Sequence, residues 1–260
     1  MSATIALEGV KKVFANASRP ALDGVSLEIQ PREFIAIVGG SGSGKTTLLR
    51  LINRLIEPDA GSVRVAGEDV QDVDPIALRR RIGYVFQGVG LFPHMSVAEN
   101  IAITPRLLGW DAPRQAARAD ELLGIVRLDP ATYRNRLPHQ LSGGERQRVG
   151  VARALAAQPA IVLMDEPFGA LDPLTREALA ADYRRMHDEF GLTTLMITHD
   201  ALEAVLLADR IAMLREGRLV AQGTPHEMMA SQHDDYVREL MDTPRRHAER
   251  LNALLVRNGA

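Results

Sequence analysis

One stretch constrains this chain more than any other: Val38-Gly39-Gly40-Ser41-Gly42-Ser43-Gly44-Lys45-Thr46-Thr47. Immediately before it, Phe34-Ile35-Ala36-Ile37-Val38 is a continuous apolar run, the pattern of a strand buried on both faces. Immediately after it, Leu48, Leu49, Leu51, Ile52, Leu55 and Ile56 recur at helical spacing. The glycine-rich stretch is therefore a strand-to-helix turn, and Gly39, Gly44, Lys45 and Thr46 fit G-x-x-x-x-G-K-[ST] in the context that gives the pattern meaning. Glycines let backbone wrap close to an anion, and the unpaired N–H groups of a helix start point at its oxygens. Lys45 supplies a point charge for terminal phosphates, and the Thr46 hydroxyl is a candidate Mg²⁺ ligand. A Gly/Ser turn that binds nothing would require none of the four fixed positions, so the stretch reads as a loop for a nucleoside triphosphate.

The 260 residues suffice for one large α/β domain or a domain with a subdomain. A net charge of -2 gives no global basic field, so no nucleic-acid partner is expected. Lysine occurs only at Lys11, Lys12 and Lys45 among abundant arginines, which makes the lysine in the loop more telling. The chain has no cysteine, which excludes disulfides and thiolate chemistry. Met1-Ser2-Ala3-Thr4-Ile5 lacks the features of a signal peptide, and no apolar run approaches the ~20 residues of a membrane span. A soluble, cytosolic chain able to dock on a membrane protein is expected.

Along the chain, Thr4–Glu8 and Val25–Ile29 alternate apolar and polar residues, as antiparallel strands around a turn at Asn16–Pro20 do. Phe14 lies between them, either a core aromatic or a ligand contact. Ser62–Val65 is a further strand, and Ile82–Phe86 a buried one ending at Gln87. Helical patterns follow at Val97–Ile103, Arg114–Arg127 and Glu145–Ala157, punctuated by Pro93, Pro105, Pro113, Pro130 and Pro138. Strands resume at Ile161–Met164, Thr194–Ile197, Ile211–Leu214 and Leu219–Ala221, with helix Leu174–Phe190 between the first two. The order predicts an α/β fold with a mostly parallel sheet, an antiparallel β portion and an inserted helical subdomain. The expected division is a nucleotide-binding core over residues 1–87 and 159–225, the helical insert over 88–158 and a C-terminal helical extension over 226–260.

Asp165 and Glu166 end a buried strand, at the sheet edge where open α/β folds bind ligands. Neighbouring side chains leave a strand on opposite sides, so one carboxylate can serve Mg²⁺ while the other faces water. An acidic turn before Pro167 is the plainer alternative. In Leu141-Ser142-Gly143-Gly144-Glu145, Ser142 and Glu145 are spaced as a capping box. That leaves Gly143 and Gly144 unexplained, since each glycine disfavours a helix by up to about 1 kcal/mol. An anion at the helix start would account for them, requiring a second ligand or a second subunit. Gln87 and His199 each follow a strand and, taken alone, read as polar strand-end residues.

The phosphate loop, Gln87, Leu141–Glu145, Asp165-Glu166, Ala170-Leu171-Asp172 and His199, in that order, resemble the ATP-binding cassette ATPases over nearly the whole chain. The resemblance implies a P-loop NTPase (RecA-like) core, ATP and Mg²⁺, and a head-to-tail homodimer with two ATPs at its interface. Each ATP would lie between one phosphate loop and Leu141, Ser142, Gly143, Gly144 and Glu145 of a second copy. By the same resemblance Phe14 stacks on adenine, and Gly39 to Thr47 bind the phosphates. Thr46 and Gln87 ligate Mg²⁺, and Asp165 holds its hydration shell. Lys45, Glu166 and His199 are the implied catalytic set, with Glu166 polarising water and His199 meeting the γ-phosphate. Asp172 would cross to the partner copy. Glu145 and Gly169 depart from commoner glutamine and serine.

Gly90–Val97, Thr104–Trp110 and Pro167–Arg176 further resemble the ATPase subunits of quaternary-amine osmoprotectant importers. That likeness implies an ATP-hydrolysing subunit peripheral on the inner face of the cell membrane, held there by an integral membrane permease and served by a solute-binding protein. Importers of other small solutes and non-transport cassettes are the alternatives. Some members of the group carry C-terminal sensor domains, for which the residues after Pro225 are too few. Val89, Leu91, Phe92 and Met95 form an apolar cluster after Gln87, which either closes the chain's own core or receives the permease.

Overall fold

The computed structural model describes residues 4–15, 17–230 and 235–242. The alternating N-terminal segments form β1 (Ile5–Lys12) and β2 (Leu22–Ile29), paired antiparallel with Ile5 opposite Ile29. Asn16, in the expected turn, lies outside the described residues. The apolar run becomes β3 (Phe34–Val38), buried along its length, and α1 (Lys45–Ile52) follows the glycine-rich loop. β4 (Ala60–Val65) and β5 (Glu68–Asp69) extend the antiparallel sheet to the order β2-β1-β4-β5. Next come α2 (Pro75–Arg81) and β6 (Ile82–Val85). Four helices follow: α3 (Val97–Leu107), α4 (Ala112–Ile125), α5 (Pro130–Tyr133) and α6 (Gly143–Leu155). The chain then returns through β7 (Ile161–Asp165), α7 (Pro173–Phe190), β8 (Thr193–Thr198) and α8 (Ala201–Leu207). β9 (Arg210–Arg215), β10 (Arg218–Gly223) and α9 (Pro225–Ala230) complete the order.

The second sheet has the order β10-β9-β3-β8-β7-β6, parallel except for the β9–β10 hairpin. Its residues alternate between two apolar cores, because successive side chains leave a strand on opposite faces. Phe34, Ala36 and Val38 join Val162, Met164, Met196 and helices α3, α4, α6 and α7 on one side. Ile35 and Ile37 join Leu163, Leu195, Leu48, Leu49 and the antiparallel sheet on the other. Helix α1 is thus wedged between the sheets, and the phosphate loop has no choice but to emerge at the carboxyl edge.

The ends of α1 and α3 depart from the sequence reading, and α2, α5, α8 and β5 have no counterpart in it. The spacing of Leu55 and Ile56 continues the helix, yet α1 stops at Ile52, where Leu55 N–H bonds Arg50 O (2.8 Å) and Arg54 N–H bonds Leu51 O (3.0 Å). That is a Schellman end whose left-handed residue is Arg54 (φ 51°) rather than glycine. Pro105 does not end α3, which runs to Leu107. It forgoes one hydrogen bond, to the Ile101 carbonyl, and is buried. Helix α2 carries its own start signal, since Asp74 caps it by accepting from Ala77 N–H (2.7 Å) with Pro75 behind it.

His187 of α7 is buried against the Phe34 ring (5.2 Å), with Nδ1 3.0 Å from Thr194 Oγ1. Burial, reinforced by the Arg184 guanidinium, pushes the imidazole below its ordinary value, against weaker pulls from Asp209 and Asp188. The folded chain therefore holds the imidazole proton less readily than the unfolded chain, which takes it up as pH falls through about 6.5. This contribution is complete above that pH and is lost below it. In urea titrations at pH 7.5 and 5.5, His187→Leu should show a smaller fall in midpoint than the wild type; an equal fall would mean His187 carries none of the dependence.

Candidate functional site

Between β3 and α1 the backbone turns at Gly44, which sits at φ 105° in the N-cap position with no side-chain cap. A Cβ there would stand 2.3 Å from the Ala21 carbonyl oxygen, so no other residue fits. The first N–H groups of α1 are therefore left bare of side chains. Lys45 is only 7% exposed, and its Nζ donates to Gly39 O (2.7 Å) and Gly40 O (2.9 Å). Burial lowers its pKa, while the Glu166 and Asp165 charges oppose the shift. Ser43 Oγ is buried with no hydrogen-bond partner. A buried cation, an orphaned hydroxyl and an uncapped helix start converge on one need, a polyanionic ligand.

The parallel strands next to β3 bring the remaining groups to the same edge. Asp165, at the end of β7, is buried, and its carboxyl is pushed up by burial and then by Glu166, with Arg50 and Lys45 opposing. Glu166 leaves the strand with a left-handed backbone (φ 45°), its N–H bonded to Ile197 O at 3.0 Å. Its carboxylate is held from both sides: Gln87 Nε2 donates to Oε2 at 3.0 Å, and His199 Nδ1 lies 3.3 Å from Oε1. Gln87 follows β6 and His199 follows β8, so the two residues that read as isolated strand ends meet on one carboxylate. A cavity of about 480 Å³ is lined by Ala21, Ser41 to Thr47, Gln87, Glu166 and His199. Gly39 and Gly40 do not line it, and neither does Phe14, a residue 41% exposed with Lys12 Nζ 5.9 Å from its ring.

A second cavity, of about 320 Å³, is lined by Ser142, Gly143, Gly144, Glu145, Arg148, Ala170, Leu171, Asp172 and Thr175. It shares no lining residue with the first. The capping box is formed in full: Glu145 N–H bonds Ser142 Oγ (3.2 Å), and Ser142 N–H bonds Glu145 Oε2 (2.6 Å). The two glycines have different reasons. A Cβ on Gly144 would meet Thr175 Cγ2 at 2.6 Å, a packing constraint, whereas one on Gly143 would meet nothing and only cover the helix start. Asp172 caps α7 through Thr175 N–H (3.1 Å) and still borders this cavity. Leu141 is buried in the core instead of lining it.

A third depression, of about 380 Å³ and largely apolar, is lined by Leu55, Tyr84, Phe86, Phe92, Ile103 and Leu107 with Arg79, Arg80 and Arg153 among others. Phe86, Phe92 and Leu107 are exposed, while Leu91 packs against the core, so the cluster after Gln87 is core in one part and surface in another.

Several residues that hold these surfaces were not legible. Arg153 of α6 donates to Gly90 O (2.7 Å) and Val89 O (2.8 Å), tying the loop after Gln87 to the helix that begins with Gly143. Asn100, fully buried, binds the Phe92 N–H (2.7 Å) and the Phe92, Met95 and Ser96 carbonyls. Arg176 donates to Leu171 O (3.1 Å) and lies 3.7 Å from Asp200. Their partners are backbone atoms or distant residues, which leave no mark in residue spacing.

The family model for the ABC transporter matches residues 22–169. The choline transport ATP-binding protein OpuBA of Bacillus subtilis (strain 168) is 46% identical over 241 residues, 93% of this chain and 63% of that protein. The chain thus spans less than two thirds of that relative. The glycine betaine uptake system ATP-binding protein YehX of Escherichia coli (strain K12) is 47% identical over 230 residues, 88% of this chain and 74% of that protein. The dimeric, post-hydrolysis structure of the ATP-binding cassette MJ0796 bound to ADP and Pi superimposes with a TM-score of 0.77 at 34% identity, covering 85% of this chain and 98% of that one. Fold, loop geometry and relatives agree: the chain belongs to the ABC transporter family.

Proposed function

We propose that this chain is the ATP-binding and ATP-hydrolysing subunit of an ABC importer for glycine betaine or choline-type osmoprotectants. The observation that carries the catalytic reading is Glu166, held between Gln87 and His199 on the cavity that Lys45 and the bare start of α1 prepare for phosphate. The names of the relatives OpuBA and YehX support the solute class.

In this reading Gly39 to Thr47 bind the phosphates, with Lys45 shared between the Gly39 and Gly40 carbonyls and the terminal oxygens. Phe14 is the adenine contact. Glu166 accepts the proton of the attacking water, and His199 holds the γ-phosphate. Mg²⁺ fits the donor set: Thr46 and Gln87 line one cavity, and the Asp165 carboxyl, raised by burial and Glu166, would be relieved by a nearby cation. Among the described residues no group of three His, Asp or Glu could hold a metal, so the phosphates would supply part of the coordination. When bound, the ion would draw charge off the phosphate oxygens.

The dimeric MJ0796 structure supports a head-to-tail pair in which Ser142 to Glu145 and Asp172 close the ATP of the other copy. No described helix is long and apolar enough to cross a membrane. A permease would then supply the span and hold the chain at the inner face, its cytoplasmic helix seated in the apolar depression of Phe86, Phe92 and Leu107, with a solute-binding protein feeding it. In the proposed division, residues 1–87 and 159–225 are the nucleotide-binding core and 88–158 the helical insert. Of the proposed extension over 226–260, residues 231–234 and 243–260 lie outside the described residues.

Glu166→Gln should keep ATP binding, lower hydrolysis by about two to four orders of magnitude and accumulate an ATP-bound dimer. Hydrolysis within a few-fold of wild type would remove Glu166 from the role of base. Lys45→Ala should weaken ATP binding itself in calorimetry, since its charge pairs with phosphate already in the ground state; an unchanged affinity contradicts the role. Phe92→Ser combined with Leu107→Ser should abolish uptake of labelled glycine betaine or choline in cells while the isolated chain keeps its ATPase rate. Undiminished uptake would move the docking site elsewhere, and wild-type cells that take up neither solute through this system would overturn the solute class.

A further inference from the structure

Gly40, the second residue of the phosphate loop, is held through both of the peptide groups that flank it. Its carbonyl accepts from Lys45 Nζ (2.9 Å) and Ser43 N–H (3.2 Å). The Gly40 N–H, however, donates to the hydroxyl of Tyr236 at 3.0 Å, a residue 196 positions away. Tyr236 belongs to the helical residues 235–242, whose Val237 and Met241 are 1% and 2% exposed, one helical turn apart, in the apolar core. Arg215, at the end of β9, places its guanidinium 4.8 Å from the Tyr236 ring centre. The segment is thus seated by apolar burial, and its hydroxyl is what reaches the loop. Tyr236 does not line the nucleotide cavity.

The arrangement has a consequence for ligand entry. A phosphate ligand would share Lys45 Nζ with the Gly39 and Gly40 carbonyls, which weakens this restraint as the loop must hold its shape. The bond to Tyr236 is independent of Lys45 and survives that sharing. A loop already held in its binding shape loses less freedom on binding, and affinity rises accordingly. We propose that Tyr236 is a positioning residue for the phosphate loop, and that the 235–242 segment thereby sets the affinity of the site for nucleotide. The inference rests on the reading of the cavity as an ATP site.

The test uses the full chain as wild type, Tyr236→Phe and Tyr236→Ala. Amide exchange at Gly40 is measured without nucleotide, alongside the thermal midpoint, the ATP dissociation constant, kcat and KM. Tyr236→Phe keeps the ring and should keep the midpoint, yet Gly40 should exchange about 2- to 10-fold faster, the weight of one hydrogen bond. The dissociation constant and KM for ATP should rise by a similar factor, with kcat unchanged within about two-fold. Tyr236→Ala should show the same loop effects and a lower midpoint. If phenylalanine restores wild-type exchange and affinity while alanine does not, Tyr236 is a packing residue and the inference falls. Faster exchange with unchanged affinity would also overturn it. A wild-type chain that binds no ATP would instead sink the reading of the cavity, and the exchange rate would still decide whether Tyr236 holds the loop.

Discussion

Burial of β3 on both faces is the condition from which the rest of the structure follows. A strand that must be apolar throughout can place polar chemistry only beyond its end, and its parallel neighbours are under the same rule. The order β3-β8-β7-β6 therefore delivers the phosphate loop, His199, Glu166 and Gln87 side by side along one edge. None of these residues is brought there by its own energetics. Each is the first residue, or nearly so, that an apolar run releases, and the shared direction of the strands does the gathering.

The alternation of cores explains how Asp165 and Glu166 differ although they adjoin. Asp165 continues β7 and is buried with the side chains near α1, where Arg50 and Lys45 temper the rise of its pKa. Glu166 breaks from the strand through a left-handed backbone and so escapes burial. The two departures in the family motifs also have local accounts. Glu145 Oε1 accepts the Tyr133 hydroxyl at 2.5 Å while Oε2 serves the Ser142 N–H, a load spread over two oxygens that glutamine would concentrate on one. At Gly169 a Cβ would find its nearest neighbours at 3.8 Å, so the site tolerates serine as readily as glycine.

Much of this was legible beforehand, because burial and glycine leave signatures in the sequence. The strands of the parallel sheet, the loop and the helix beginning at Gly143 could be read to within a residue or two. Most of what could not be read has backbone as its determining partner. Arg54 ends α1 in a conformation that glycine ordinarily announces, and Pro105 is absorbed by a helix it should have closed. Arg153 and Asn100 shape the loop after Gln87 through carbonyl groups, which look the same under every side chain. Phe14 is exposed and outside the lining of the phosphate cavity, so its assignment to adenine rests on likeness alone.

The absence of a shared lining residue between the phosphate cavity and the Ser142–Asp172 cavity has a consequence for stoichiometry. If one ATP is closed by the first cavity of one copy and the second cavity of another, each chain holds two unlike halves and no whole site. Turnover then has the kinetic order of an encounter, falling per chain as the protein is diluted. Two crippled chains, one altered at Lys45 and the other at Ser142, would complement each other when mixed. Their pairing pools both defects in one composite site and leaves the other composite site intact.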